Sequence, residues 1–436
     1  MSETRRAIAI DLFAGAGGMS LGFEQAGFDV VAAVEIDPIH CAIHKFNFPH
    51  WSTICQSVTE LSGEEIRNQA KIGKEEIDVV FGGSPCQGFS LIGKRAFDDP
   101  RNSLVAHFLR LVIELQPKYF VLENVKGLTI GKHRQFLAEV IEEFEANNYA
   151  VIKDYQVLNA SHYGVPQSRD RLFLIGCRQG LILPSYPLPI TKSPVKNPAR
   201  EILNLPSCPT VWEAISDLPI IEKYSELNTQ DACIVEFGKA SKYAQTLRGL
   251  IDSSDDYSYP REWNQDLLES SLLTSSIRTV HSEVSMERFA KTEQGKIEPI
   301  SRFHKLDPNG ICNTLRAGTP SNRGAFTSPR PIHPYIPRCI TVREAARLHS
   351  YPDWFRFHST KWHGCRQIGN SVPPLLAKAV ASELIKVLNI RPIKPKKSLQ
   401  SSEQRLLKLK MTEAANLFGV DPHIIEPRIR QSKGLE

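Results

Sequence analysis

The 436-residue chain predicts an α/β fold with a doubly wound, largely parallel sheet. Two observations carry that expectation. Short apolar runs rich in Val, Ile and Phe (AIAIDLF, VVAAVEID, IDVVF, KYFVLENV, LFLIG) alternate with stretches of helical spacing, the pattern of strands buried on both faces between helices. Several of these runs end in a glycine turn or a carboxylate, as strands do when their carboxyl ends open onto a ligand crevice. The 41% apolar content is enough to fill such cores, and the length suits two to three domains of about 150 residues each.

Charge and cysteine usage narrow the class. Lys and Arg number 53 against 48 Asp and Glu, a net charge of +5 that is compatible with a polyanionic partner. Nine scattered cysteines without a C-x-x-C pair argue against a disulfide framework or a zinc site and fit a reducing compartment. Asp11 interrupts the first apolar stretch too early for a signal peptide or membrane span, so the expectation is a soluble, cytoplasmic protein without membrane contact.

In chain order, AIAIDLFAGAGGMSLGFEQAGF reads as strand, glycine turn and helix, with Leu21, Phe23 and Ala26 at helical spacing. Glycines let a ligand approach the backbone, and a helix amino terminus offers free N–H groups to an anion. The next strand ends at Glu35, about twenty residues on, where an acid takes ribose hydroxyls in mononucleotide-binding halves. An adenosine-type cofactor follows, and these residues alone do not separate a nicotinamide from a sulfonium cofactor. ICQSVTEL reads as a short strand and turn on the adenine side of that pocket.

The stretch IDVVFGGSPCQGFS places a cysteine at a further strand end, the Gly82-Gly83 pair being read as the stop that ends the strand. Cys86 on that corner is a candidate nucleophile, against the blander reading of a buried structural thiol. The polar LIGKRAFDDPRNSL segment after it reads as a lid, followed by an amphipathic helix from Leu104 to Leu115. KYFVLENVKGL is a strand ending on Glu123 and Asn124, a carboxyl facing the same crevice or capping the next helix. HYGVPQSRDRLFLIG is another strand, with Arg169 and Arg171 at period-two spacing pointing the same way, either toward an anion or carbonyl or as plain surface charge.

DLFAGAGG, GGSPCQGFS, LENV, QSRDR, TVREAARLHSYPD and QIGNSVPP, in this order, resemble the ordered motifs of the DNA (cytosine-5)-methyltransferases. The likeness runs from about Ile8 to Gly176 and again from Cys339 to Leu388. It implies a Rossmann-like S-adenosylmethionine-dependent methyltransferase domain with a smaller, inserted target-recognition domain. The corresponding boundaries are 1–220 for the first part of the catalytic and cofactor domain, 221–338 for target recognition, 339–390 for the return to the catalytic domain, and 391–436 for a basic linker with a short helical extension.

The resemblance also implies the chemistry. Cytosine C5 is too poor a nucleophile to take a methyl group directly, so a Cys86 thiolate adds to C6 while Glu123 holds and protonates N3. Arg171, with Arg169, binds the base carbonyl and supports the carboxylate and thiol geometry. The base that removes H5 is not identified by the sequence. The target cytosine is flipped out of its duplex at a cost of a few kcal/mol. Phe13, Gly15, Gly17 and Gly18 surround the cofactor, Glu35 takes its ribose, Ile36 meets an adenine face, and Leu104 and Asn370 line the pocket. Where the family commonly places Asp-Ile or Asp-Val for the adenine amino group, this chain has Ser57-Val58, which implies weaker but retained binding. Gln87 and Arg101 are expected to face DNA.

From Cys177 to Arg338 the periodic signals fade, and PTVWEAISDLP reads as a short capped helix closing the first domain. Arg316, Arg323 and Arg330, among glycines and hydroxyl residues, suit phosphate and base-edge contacts of a target-recognition region, or a solvated basic loop. IGNSVPPLLAKAVASEL starts a helix reaching about Leu388. Beyond it, Thr412, Ala415, Leu417, Gly419 and Val420 resemble half of a helix-turn-helix, an accessory nucleic-acid contact or a mere basic amphipathic tail. The function expected is sequence-specific DNA cytosine methylation as the modification enzyme of a restriction system, with duplex DNA and a cognate endonuclease as partners. An RNA-directed relative or a non-catalytic DNA-binding regulator are the alternatives. The long recognition region speaks against the first, and the intact Cys86, Glu123 and Arg171 against the second.

Overall fold

The computed structural model describes residues 3–85, 103–131, 133–193, 204–318 and 331–425. Cys86, Gln87, Arg101, Arg323, Arg330 and the lid expected after Cys86 lie outside the described residues. The first half of the chain runs β1 (Glu3–Thr4), β2 (Ala7–Leu12), α1 (Gly18–Ala26), β3 (Phe28–Glu35), α2 (Pro38–Asn47), β4 (Ser52–Cys55), α3 (Gly63–Ala70), β5 (Val79–Gly83), α4 (Ser103–Leu115), β6 (Tyr119–Val125), α5 (His133–Ala146), β7 (Tyr149–Val151), β8 (Gln156–Asn159), β9 (Gln167–Ser168) and β10 (Asp170–Arg178). One sheet has the order β4, β3, β2, β5, β6, β10, β7, with β8 also paired to β10. Strands β2 to β6 pair in parallel, and β10 is antiparallel to its neighbours. The chain winds outward from β2 to β4 and restarts at β5 on the other side of β2. The reversal between β2 and β5 is where ligands enter such sheets.

Period-two side-chain alternation builds a core on each face. Val80, Phe120 and Leu122 pack with Ile66, Phe108 and Phe144 from α3, α4 and α5. Val79, Phe81 and Val121 point the other way, toward Phe23 of α1. The doubly wound α/β expectation therefore holds for β2 to β6 and β10, while β1, β7 and β8 were not announced by the sequence.

One local reading changes. Gly82 and Gly83 are the last two residues of β5 itself, not a turn that follows it; they pair with Leu122 and Glu123 of β6 as part of the ladder. They are glycines because a Cβ on Gly82 would strike the Leu12 carbonyl of β2, and one on Gly83 would strike the Glu123 carboxylate. Close approach of neighbouring strands, not a turn, explains the pair.

The second half contains α6 (Val211–Ile215), β11 (Cys233–Ile234), α7 (Lys242–Arg248), α8 (Glu262–Glu269), β12 (Leu272–Leu273), α9 (Glu283–Lys291), β13 (Cys312–Asn313), α10 (Val342–Leu348), α11 (Lys361–Asn370), α12 (Pro374–Leu388), β14 (Ile390–Arg391) and α13 (Met411–Phe418). The sequence TVREAARLHSYPD folds as a junction. Thr341 caps α10 in a reciprocal box with Glu344, whose carboxylate also takes two bonds from Arg338 at 2.8 and 2.7 Å. Arg347, fully buried, bonds Asp217 and Asp353, and Arg343 bonds Thr274 Oγ1 and the carbonyls of Pro352 and Phe355. Burying these cations without such partners would be prohibitive, so each is tied to a carboxylate or carbonyl.

The helix expected after Asn370 and Pro373 and running to about Leu388 is α12 (Pro374–Leu388), while Ile368–Asn370 finish α11, which the sequence pattern did not announce. A third apolar cluster crosses the boundaries expected at 220, 338 and 390, joining Phe46 and Phe48 to Val211, Trp263, Phe355 and the C-terminal Leu399, Leu406 and Leu407. Helix α13 closes at Gly419 and buries Ala414 and Ala415, while Phe418 packs on the same cluster and under Lys45 of α2. Of the positions read as half of a helix-turn-helix, Ala415 packs on the core and Gly419, at φ 67°, is the left-handed cap that ends α13.

Truncation after Leu388 therefore strips a core rather than a tail. Burying one leucine contributes about 1.5–3 kcal/mol, so losing Leu399, Leu406 and Leu407 together lowers the unfolding midpoint by roughly 5 °C or more. Calorimetry of the truncated chain measures this, and an unchanged midpoint would show that the extension is dispensable for the fold.

Candidate active site

The site forms where β2, β5 and β6 end. Glu123 lies on β6 opposite Gly83 of β5 and opposite Phe173 of β10. Its carboxyl is buried, and Arg171 Nε donates to Glu123 Oε1 at 2.8 Å. Arg171 stands two residues before Phe173 on β10, and therefore projects from the same face as the residue paired with Glu123. Burial pushes the Glu123 carboxyl above its ordinary value, with the Arg171 and Arg169 cations opposing part of the rise. A carboxyl held this way keeps its proton to higher pH and can donate it.

The approach to Cys86 is anchored from the same strand. Asn124, next to Glu123, donates through Nδ2 to Ser84 O at 3.3 Å and to Ser84 Oγ at 3.2 Å, and its Oδ1 accepts from Val125 N at 2.9 Å. Ser84 is buried and Pro85 exposed, so the chain emerges from the sheet at the point where Cys86 follows.

Arg169 behaves differently from Arg171. It is fully buried, and its guanidinium donates to the carbonyls of Leu315, Gly369 and Ser371 at 2.7, 2.8 and 2.7 Å. Gln167 reinforces the joint, accepting from Leu315 N and donating to Leu348 O. Arg169 was expected to join Arg171 in binding the base carbonyl and supporting the carboxylate; its two NH groups go to three backbone acceptors where β13, α10 and α11 meet β9, and its charge acts on Glu123 through space. Arg171 is the cation that faces Glu123.

On the cofactor side, the turn after β2 has Phe13, Gly15 and Gly17 at φ of 67°, 55° and 101°. Glu35 Oε2 accepts from Gly15 N at 2.7 Å, and Oε1 accepts from Ile36 N and Asp37 N at 3.0 and 2.9 Å, so the acid braces the turn it was expected to share with a ligand. Beneath it, Ser20 Oγ donates to the buried Asp11 at 2.5 Å, tying β2 to α1; the sequence reading used Asp11 only against a membrane span and did not single out Ser20. Ser57, half-buried, shares a hydrogen bond with Thr59 Oγ1 at 2.7 Å, and the buried Val58 gives its carbonyl to Arg110. Leu104 packs beside the sheet core. Asn370, exposed, ends α11, next to the Ser371 carbonyl held by Arg169. Arg316 is exposed, one residue beyond Leu315 in the same joint. Gly83 and Asn124 are the positions of this candidate site that sequence reasoning undervalued; the LENV motif contained Asn124, whereas Gly83 required knowledge of the strand pairing.

The geometry has counterparts among known proteins. A family model described as C-5 cytosine-specific DNA methylase matches residues 8–386. The chain is 59% identical over 425 residues to Type II methyltransferase M.XorII of Xanthomonas oryzae pv. oryzae, covering 98% of this chain and 95% of the relative. It is 32% identical over 431 residues to Type II methyltransferase M.DdeI of Desulfomicrobium norvegicum, covering 92% and 95%. A solved structure from E. coli, described as a prophage-encoded DNA modification methyltransferase, is 36% identical with a TM-score of 0.70 and covers 88% of this chain and 99% of its own. The chain belongs to the C-5 cytosine-specific DNA methylase family and is a DNA (cytosine-5)-methyltransferase.

Proposed function

We propose that the protein methylates a flipped-out cytosine in a specific duplex sequence through a transient bond between Cys86 and C6, as the modification enzyme of a Type II restriction system. The observation that carries the reading is the buried Glu123 carboxyl, clamped by Arg171 one strand away from the segment leading to Cys86. The thiolate gives its electron pair to C6 as Glu123 passes its proton to N3, which leaves C5 as an enamine carbon. Arg171 keeps the carboxyl aimed and offers its remaining N–H groups to the base oxygen. After methylation of C5, loss of H5 to a base expels the thiolate, and Glu123 recovers its proton from N3.

S-adenosylmethionine, when bound, supplies an electrophilic methyl group. The residues present suit it: the Gly17 end of α1 carries no side-chain cap, Gly15 has open space beside it, and Glu35 and Ile36 lie at the end of β3. The similarity to Type II methyltransferases supports the restriction-system role, in which a cognate endonuclease acts on the same site.

Duplex carrying 5-fluorocytosine at the target position should give a denaturation-resistant complex with the parent protein. Cys86→Ala should transfer label from S-adenosylmethionine at least about 10³-fold more slowly, a covalent catalyst having been removed. Label transfer at the parent rate by that variant would end the covalent reading. For the adenine side, Ser57→Asp should bind S-adenosylmethionine about five- to tenfold more tightly in an equilibrium titration, since a charged acceptor replaces a hydroxyl worth about 1 kcal/mol less. Tighter binding by the parent would mean that Ser57 is not at the adenine amino group.

A further inference from the structure

Tyr351 follows α10 and is fully buried, its ring stacked on His349 at 5.9 Å and packed against Phe355 and Phe357 at 4.7 and 5.0 Å. These rings fix the direction of the phenol. Its hydroxyl lies against Gly18, in space that a side chain there would fill, together with the Val372 carbonyl and Ser371. Its polar neighbour is the Ser371 side chain, which already gives its hydroxyl proton to Ile368 O at 2.8 Å, and no group among the described residues meets the phenol with full hydrogen-bond geometry. A buried phenol without an acceptor is costly, and phenylalanine would fill the same volume without that cost. Burial raises the Tyr351 pKa, so the phenol stays protonated and is available as a donor.

Helix α1 shows the complementary shortage. It spans nine residues, its cap Gly17 is in the left-handed region with no side-chain oxygen, and Gly17, Gly18, Met19 and Ser20 are all buried. First-turn N–H groups have no intrahelical carbonyl, so this end is a buried cluster of donors as well. An anionic ligand would meet both needs.

We propose that Tyr351 is a further cofactor-binding residue, its O–H donating to the carboxylate end of S-adenosylmethionine at the amino terminus of α1. The inference rests on the cofactor reading above. It assigns Tyr351 a ligand contact in addition to packing, and it makes the hydroxyl, rather than the ring, the part that matters for binding.

Calorimetric titration of the full chain and of Tyr351→Phe with S-adenosylmethionine and with its decarboxylated analogue tests this, alongside thermal unfolding of both proteins without ligand. The variant should bind S-adenosylmethionine roughly tenfold more weakly, the loss of one hydrogen bond to a charged group. It should bind the decarboxylated analogue as well as the parent does, and unfold at the same or a higher temperature. Equal affinity of the two proteins for S-adenosylmethionine overturns the proposal, as does an equal loss for both ligands. A lower unfolding temperature with unchanged affinities overturns it too, marking a purely structural hydroxyl. Failure of the parent itself to bind S-adenosylmethionine would remove the cofactor reading rather than the placement of Tyr351.

Discussion

The structure depends on one carboxyl being forced against a strand that has no side chain to oppose it. Parallel pairing of β5 with β6 sets Gly83 beside Glu123, and a Cβ there would collide with the carboxylate. Antiparallel pairing of β10 with β6 then brings Arg171 to the same carboxyl. Burial without Arg171 would leave the group uncompensated, and the cation without burial would leave it an ordinary carboxylate. Burial outweighs the opposing cation, which leaves an acid that retains its proton beyond the usual range. The sign of this perturbation matters for folding: the folded protein holds the Glu123 proton more tightly than the unfolded chain does, so this group costs stability above its raised pKa. That cost fits the proton-donor role proposed for Glu123.

A second constraint links the catalytic strands to the remainder of the chain. Arg169 and Gln167 fasten β9 and the start of β10 to Leu315, Leu348, Gly369 and Ser371, just before Arg171. The segment leading to the basic residues expected at the DNA, beginning with Arg316, thereby leaves from a joint that shares backbone with the Glu123 partner. Buried guanidinium groups at Arg343 and Arg347 complete the junction on the α10 side. Each is paired with carboxylates or carbonyls whose geometry holds the second half of the chain in a defined place on the sheet.

Much of this was legible before any coordinates. Apolar runs announced β2, β3, β5, β6 and β10, because strands buried on both faces have nowhere to hide polar residues. Glycine spacing after β2 announced the turn, and the acid at Glu35 announced the end of β3. What escaped was set by tertiary contact. Gly82 and Gly83 looked like a stop because glycine ends strands more often than it admits a neighbouring strand's side chain. Arg169 looked like Arg171's twin because period two records direction and says nothing of the three carbonyls waiting for it. The fold-level role of the α13 segment was not legible either, because an amphipathic helix carries the same pattern whatever its apolar face meets, here α2 and the Phe46 cluster.

The account turns on Glu123 being a proton donor, and the most direct measurement is its own titration. A carbon-13 carboxyl resonance, assigned by its disappearance in Glu123→Gln, should show a midpoint above the ordinary glutamate value and should move higher still in Arg171→Ala. A midpoint at or below the ordinary value, or a downward move when Arg171 is removed, would contradict it.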